Sequence, residues 1–177
     1  MGTLEPRKNL INLITAYNKA LILYPKLQNS ILVIAGNKGW NAQKIFRQVD
    51  RLKMKQNIKL PGYVPDADLP SLYKNCRFFT YLPFYEGFGL PILEAVSFGK
   101  ACLVSHTSSL PEIVGPCGMT VDPANVSQIA SAIKLMWTNQ QQRKLYEQKT
   151  VFWSKQFSQE KSSRKLLEIL ENLYPKQ

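Results

Sequence analysis

Short apolar runs rich in β-branched and aromatic residues recur along this chain, and between them the apolar positions switch to helical spacing. Ser30-Ile31-Leu32-Val33-Ile34-Ala35 is one such run, closing on Gly36. Arg77-Phe78-Phe79-Thr80-Tyr81-Leu82-Pro83 and Ala101-Cys102-Leu103-Val104 are two more. Unbroken rather than alternating apolar character is what a strand buried on both faces requires. Strands separated by helices cannot be joined by tight hairpins, so they pair in parallel and the helices cover both faces. The expected fold is therefore α/β, a three-layer α/β/α domain with a mostly parallel sheet of about six strands.

Taken in order, residues 1–3 read as the tail of a strand. Glu5-Pro6-Arg7-Lys8-Asn9 then opens a helix, with Leu10, Leu13, Ile14, Tyr17, Ala20 and Leu21 on its apolar face. A helix is expected over 41–54, a strand over 57–60, a turn over 61–65 and a helix over 66–74. Further helices are expected over 90–98 and 126–146, a short one from Ser109, a strand over 118–121, and a closing amphipathic helix over 159–174. Together, residues 1–177 read as one domain with a full-sized core.

The run ending at Pro83 feeds Tyr85-Glu86-Gly87-Phe88-Gly89-Leu90-Pro91-Ile92-Leu93-Glu94, two carboxylates around a Gly-Phe-Gly turn. Ligands of open α/β sheets bind at the carboxyl ends of strands. Gly87 and Gly89 allow unusual backbone angles and close approach of a ligand, and Pro91 suits a first helical turn. The helix start gathers free N–H groups and attracts an anion such as a diphosphate. Carboxylates repel phosphates but match the paired hydroxyls of a sugar. Glu86 and Glu94 beside an anion site therefore suit a nucleotide sugar. Glu94 is expected in the first turn of the following helix, where the helix dipole already favours it. Cations at a helix start oppose the dipole, so Arg7 and Lys8 make sense there if they face an anion.

The Glu, seven residues, Glu pattern with its inner Gly-Phe-Gly-Leu-Pro resembles the donor-site motif of the retaining family 4 glycosyltransferases. The similarity extends from Gly2-Thr3-Leu4-Glu5-Pro6-Arg7-Lys8-Asn9-Leu10 through Ser108-Ser109-Leu110-Pro111-Glu112 to the final helix. It implies a Rossmann-like domain, the C-terminal half of a GT-B fold, with the N-terminal acceptor domain absent from this chain and a partner to it. It further implies that Lys8 contacts the donor diphosphate, with Arg7 supplying the charge lost where Thr3 replaces the family arginine. Glu86 would contact donor hydroxyls and Glu94 the ribose. The backbone of Gly87, Phe88, Gly89 and Leu90 would meet the sugar and phosphates, and Gly62, Tyr63 and Val64 would border the base. The catalytic set is thus Lys8, Arg7 and Glu86. No carboxylate cluster has the spacing of a divalent-metal site, so fixed protein charge takes the place of a metal cofactor, as the resemblance also implies.

The formal net charge of +11 raises other partners, because a basic surface attracts polyanions whatever its fold. Seven basic residues and one acidic residue lie between Lys38 and Lys59, with Lys44, Arg47, Arg51 and Lys55 on one helical stripe. A solvated helix face is the plainest account, and peripheral contact with an anionic membrane at its inner face is the main alternative. The aromatics sit in apolar runs rather than among the basic residues, so no nucleic acid is expected. Cys76, Cys102 and Cys117 suggest neither a disulfide framework nor a zinc site and fit a cytoplasmic location. His106, the lone histidine, reads as structural.

Overall fold

The computed structural model describes residues 1–173. Five strands, β1 (Leu32–Ala35), β2 (Ile58–Gly62), β3 (Phe79–Tyr81), β4 (Cys102–Ser105) and β5 (Gly118–Val121), alternate with helices, and every pairing is parallel. They form two hydrogen-bonded sheets, β1-β2 and β3-β4-β5, rather than one of six strands. The strand tail expected at residues 1–3 is reduced to a single parallel bridge between Leu4 and Lys38.

The buried strand β4 shows why the sequence runs are unbroken. Successive side chains leave a strand on opposite faces. Leu103 joins one core, with Leu13, Ile14 and Tyr17 of α1 (Leu10–Leu23) and Ile129 and Ile133 of α6 (Val126–Thr138). Cys102 and Val104 join the other, with Tyr73 of α3 (Leu69–Asn75) and Ile92 and Val96 of α4 (Leu90–Ser97). Both faces are thus covered.

Several element ends differ from expectation for local reasons. Pro6–Lys8 is a separate 3-10 turn, and α1 begins only at Leu10 because Asn9 takes a left-handed backbone at φ 57°. The buried Asn9 side chain donates to the Pro123 carbonyl at 2.7 Å, which holds that turn against the loop before α6. The helix expected over 126–146 is interrupted at Asn139. Its side chain accepts the Gln142 amide at 2.9 Å and so caps α7 (Gln140–Ser154), while Arg143 folds back to the Met136 carbonyl at 2.7 Å. Helix α2 (Gln43–Arg51) stops short of Lys55, which pairs instead with Asp50 at 2.9 Å, both side chains exposed. Helix α5 (Leu110–Val114) carries Glu112 in its first turn, as helix starts favour. The closing helix α8 is Gln159–Leu173; Tyr174, the last residue expected in it, lies outside the described residues. No described helix is long and apolar enough to cross a membrane.

Candidate functional site

The site forms where the carboxyl end of β3 meets the 3-10 turn Pro6–Lys8. The two segments are joined through their backbones: the Phe84 amide donates to the Arg7 carbonyl at 3.0 Å, and the Arg7 guanidinium donates to the Tyr85 carbonyl at 2.9 Å. Three donors then converge on one carboxylate oxygen. Lys8 Nζ reaches Glu86 Oε2 at 2.6 Å, Arg7 approaches it at 3.2 Å, and the Tyr81 hydroxyl donates to it. Lys8 Nζ also donates to the Tyr81 oxygen at 2.6 Å. Burial alone raises the Glu86 pKa, but hydrogen bonds from Lys8 and Tyr81 and the charges of Lys8 and Arg7 outweigh it and hold the group at about 2. Burial, together with the same carboxylate, pushes the Tyr81 hydroxyl well above its ordinary range.

The anion that Arg7 and Lys8 face is therefore Glu86 itself. Arg7 is also bound to Glu5 at 2.9 Å, so the two cations are already matched by two carboxylates. Any anion arriving here would have to displace Glu86 from Lys8 and Glu5 from Arg7. The other Glu86 oxygen, Oε1, accepts only the Gly87 amide, at 3.2 Å, among the described residues, and can take a ligand hydroxyl.

The Gly-Phe-Gly loop is shaped as an approach to the start of α4. Gly89 takes φ +98°, open to glycine but strained for other residues, and a side-chain carbon there would lie 2.8 Å from Leu110. Gly87 needs no such angle; nothing lies within 4 Å of where its side chain would begin, so its contribution is open space. Ser109 donates to the Gly87 and Phe88 carbonyls at 2.9 and 3.0 Å and fixes the loop. No side chain caps α4; Pro91 carries no N–H and the Ile92 amide is bound to the Gly89 carbonyl at 2.9 Å, so among the described residues the Leu90 amide is the helix-start donor left for an anion.

Glu94 lies in the second turn of α4, not the first, because the helix starts at Leu90 as expected and Glu94 is its fifth residue. Proximity to the helix terminus therefore does not explain it. Its Oε2 instead accepts the Tyr73 hydroxyl at 2.6 Å. Tyr73 and Tyr81 belong to one aromatic row that runs Phe98, Tyr73, Phe79, Tyr81, with centroid separations of 5.5, 5.6 and 6.1 Å, the outer pairs stacked and the Tyr73–Phe79 pair tilted at 59°. Each tyrosine thus occupies Oε2 of one glutamate; among the described residues the Oε1 of Glu86 accepts only the Gly87 amide and that of Glu94 has no hydrogen-bond partner. Sequence reasoning missed both tyrosines and Ser109. The available signal was a tyrosine closing an apolar strand directly before an acidic loop.

Gly62 ends β2, with Tyr63 exposed and Val64 half-buried beyond it. They follow the carboxyl end of β2 as the Glu86 loop follows that of β3. No hydrogen bond joins them to residues 86–94 among the described residues. His106 is exposed at the end of β4, its amide bound to the Val121 carbonyl. No three His, Cys, Asp or Glu side chains converge among the described residues. Cys102 and Cys117 are buried free thiols and Cys76 is half-buried.

The family described as "Glycosyl transferases group 1" matches residues 1–151. The O-antigen chain mannosyltransferase B of Escherichia coli is 40% identical over 164 residues, covering 90% of this chain and 42% of that relative. Among solved structures, the C-terminal domain of a glycosyl transferase group 1 family protein (LpcC) from Francisella tularensis superposes with a TM-score of 0.77 at 22% identity, over 88% of this chain and 82% of that one. Anabaena HepE in complex with UDP and glucose gives 0.81 at 23% identity, over 96% of this chain and 47% of that one. The chain thus spans less than half the length of the mannosyltransferase it matches. It belongs to the group 1 glycosyl transferases, with the fold of the C-terminal domain of a GT-B enzyme.

Proposed function

We propose that this chain is the donor-binding domain of a retaining glycosyltransferase that moves mannose from a nucleoside-diphosphate sugar to an acceptor in polysaccharide or glycolipid synthesis. One observation carries the reading. Lys8, Arg7 and Tyr81 converge on Glu86 beside the uncapped start of α4. Cations, a free amide and a carboxylate with one open oxygen are what a sugar diphosphate needs in a single place. The 40% identity to an O-antigen mannosyltransferase supports mannose, and HepE, solved with UDP and glucose, supports a nucleotide-sugar donor for this fold.

In this reading Glu86 Oε1 takes a donor-sugar hydroxyl and Glu94 takes the ribose. Residues 62–64 border the base through their backbone, and the Phe88, Gly89 and Leu90 backbone meets the phosphates. As the bond to the anomeric carbon breaks, negative charge grows on the leaving diphosphate. Lys8 and Arg7 exchange their carboxylate partners for it, and preorganised cations and amides stabilise that charge without a metal ion. The acceptor is held by an N-terminal domain outside these residues, so these residues alone bind donor and transfer little. The setting in this reading is cytoplasmic, with peripheral contact at the inner face of the membrane as the alternative to a solvated basic helix face. A non-catalytic nucleotide-sugar module would share the site but transfer nothing even with the second domain supplied.

A thermal-shift panel of GDP-, UDP- and ADP-sugars tests the reading, because a ligand bound only by the folded state raises Tm with occupancy. At least one, with GDP-mannose first in order, should stabilise the chain, and Glu94→Ala should remove most of the shift. No shift with any sugar nucleotide, together with salt-sensitive binding to anionic vesicles through Lys44 and Arg47, would replace it with a polyanion-binding role.

A further inference from the structure

The net charge is carried almost entirely by one stretch of the chain. Residues 6–65 hold eleven lysines and arginines against a single acid, Asp50, and so account for +10 of the +11; the other 117 residues are nearly balanced, twelve against eleven. That stretch forms α1, β1, α2 and β2, and of its cations only Arg7 and Lys8 pair with Glu86. An imbalance this local puts a positive field over one side of the molecule and draws an anionic partner there.

The fold sorts these cations onto a surface. In α2 the side chains of Ile45, Gln48 and Val49 are buried, while Lys44, Arg47 and Arg51 are exposed at helical spacing, with Lys53 exposed just beyond. Asp50 is already paired with Lys55, and none of Lys44, Arg47, Arg51 and Lys53 makes a salt bridge among the described residues. Large apolar side chains stand among them. Trp40, four residues before Lys44, is 77% exposed. The half-buried Trp137 and Trp153 donate their indole N–H groups to backbone carbonyls, and Trp40 has no such partner among the described residues. Gln48 donates to Thr15 Oγ1 at 2.8 Å, which sets α2 beside α1. Ile11, Thr15 and Ile22 fall on one stripe of α1, so the exposed Ile11 and Ile22 lie along the border with α2.

We propose that this α1–α2 face docks on an anionic lipid bilayer, with Lys44, Arg47, Arg51 and Lys53 at the headgroups and Trp40 and Ile22 entering the boundary with the acyl chains. Headgroup phosphates supply the partners that these cations lack. Tryptophan suits that boundary because its ring enters the apolar layer while its N–H still reaches water or headgroup oxygens. A polynucleotide would match the charge equally well, but it reads through stacking on aromatic faces and has no use for exposed isoleucines. A bilayer uses both the cations and the apolar side chains. Because α1 begins two residues after Lys8, docking through this face would hold the Glu86 site close to the bilayer surface. The inference rests on charge and exposure and is independent of the sugar-transfer reading.

The test is co-sedimentation of the chain with phosphatidylcholine vesicles, with and without phosphatidylglycerol. Binding should require phosphatidylglycerol and weaken as salt is raised. Lys44→Ala, Arg47→Ala and Arg51→Ala combined should weaken it by about a hundredfold, at roughly fivefold for each cation near an anionic surface, with helical circular dichroism and Tm unchanged. Trp40 provides a second readout because the other two tryptophans are half-buried. Its emission should move to the blue on vesicles and be quenched by brominated acyl chains, and Trp40→Phe should remove both signals. Absence of vesicle binding overturns the proposal, and so does binding that the triple variant retains. Binding that leaves the Trp40 emission unchanged, and that duplex DNA competes away, overturns it in favour of a general polyanion surface. None of these failures touches the donor site, which the thermal-shift panel tests separately.

Discussion

Neutralising Glu86 should remove a defined, pH-dependent part of the stability. The carboxylate sits at about 2 instead of 4.5 because Lys8, Tyr81 and Arg7 together overcome the effect of burial, and its side chain is only 17% exposed. A group depressed on folding stabilises the native state above its unfolded pKa, and that contribution disappears as pH falls toward the folded value. The displacement corresponds to about 3 kcal/mol at pH 7, of which about 2 kcal/mol is lost by pH 3. Glu86→Gln keeps the shape without the charge, and leaves Lys8, 13% exposed, without its counter-ion. Urea unfolding of both proteins, followed by tryptophan fluorescence between pH 7 and pH 3, isolates the effect, because the other carboxylates titrate in both. The stability gap between the two should be about 3 kcal/mol at pH 7, near 9 °C in Tm for a chain of this length, and should narrow to about 1 kcal/mol at pH 3. A gap that stays constant over that range would refute the ion cluster as the origin of the shift.

Tyr81→Phe removes one of the donors to Glu86 and keeps the ring in the stack; the Glu86 pKa, followed by NMR titration, should rise yet stay below 4.5, because Lys8 and Arg7 remain. Tyr73→Phe frees Glu94 Oε2 and should weaken sugar-nucleotide binding severalfold in calorimetry with little loss of helical circular dichroism. Gly115→Ala should cost about 2 to 4 kcal/mol in urea unfolding, because a side-chain carbon there would lie 2.2 Å from the Trp153 ring, in a backbone conformation at φ +46° and ψ −129° that favours glycine.

Much of the architecture is legible in the chain because it depends on local periodicity. The runs at 30–35, 77–83 and 101–104 become β1, β3 and β4, since unbroken apolar character has few other uses in a segment so short. The Gly-Phe-Gly loop feeding a helix is legible for the same reason: Gly89 and Pro91 constrain the backbone wherever they stand. The break at Asn139 was less visible. A helical pattern runs through it, and only the cap that Asn139 provides and the fold-back of Arg143 show that two helices meet there.

Partnership was decided by the tertiary structure. Spacing brings Glu86 and Glu94 close in the chain, but nothing local says that Tyr81 and Tyr73 would hold them. Likewise, Arg7 and Lys8 lie 78 positions or more from the Tyr85 and Glu86 atoms they bind. The division of the sheet is of the same kind, since every strand run is present in the sequence while the gap between β1 and β3 exists only once the strands are ordered in space. Helix and strand patterns are set by neighbours a few residues away. Ion pairs and sheet order are set by which distant segments fold together, and that information is spread over the whole chain.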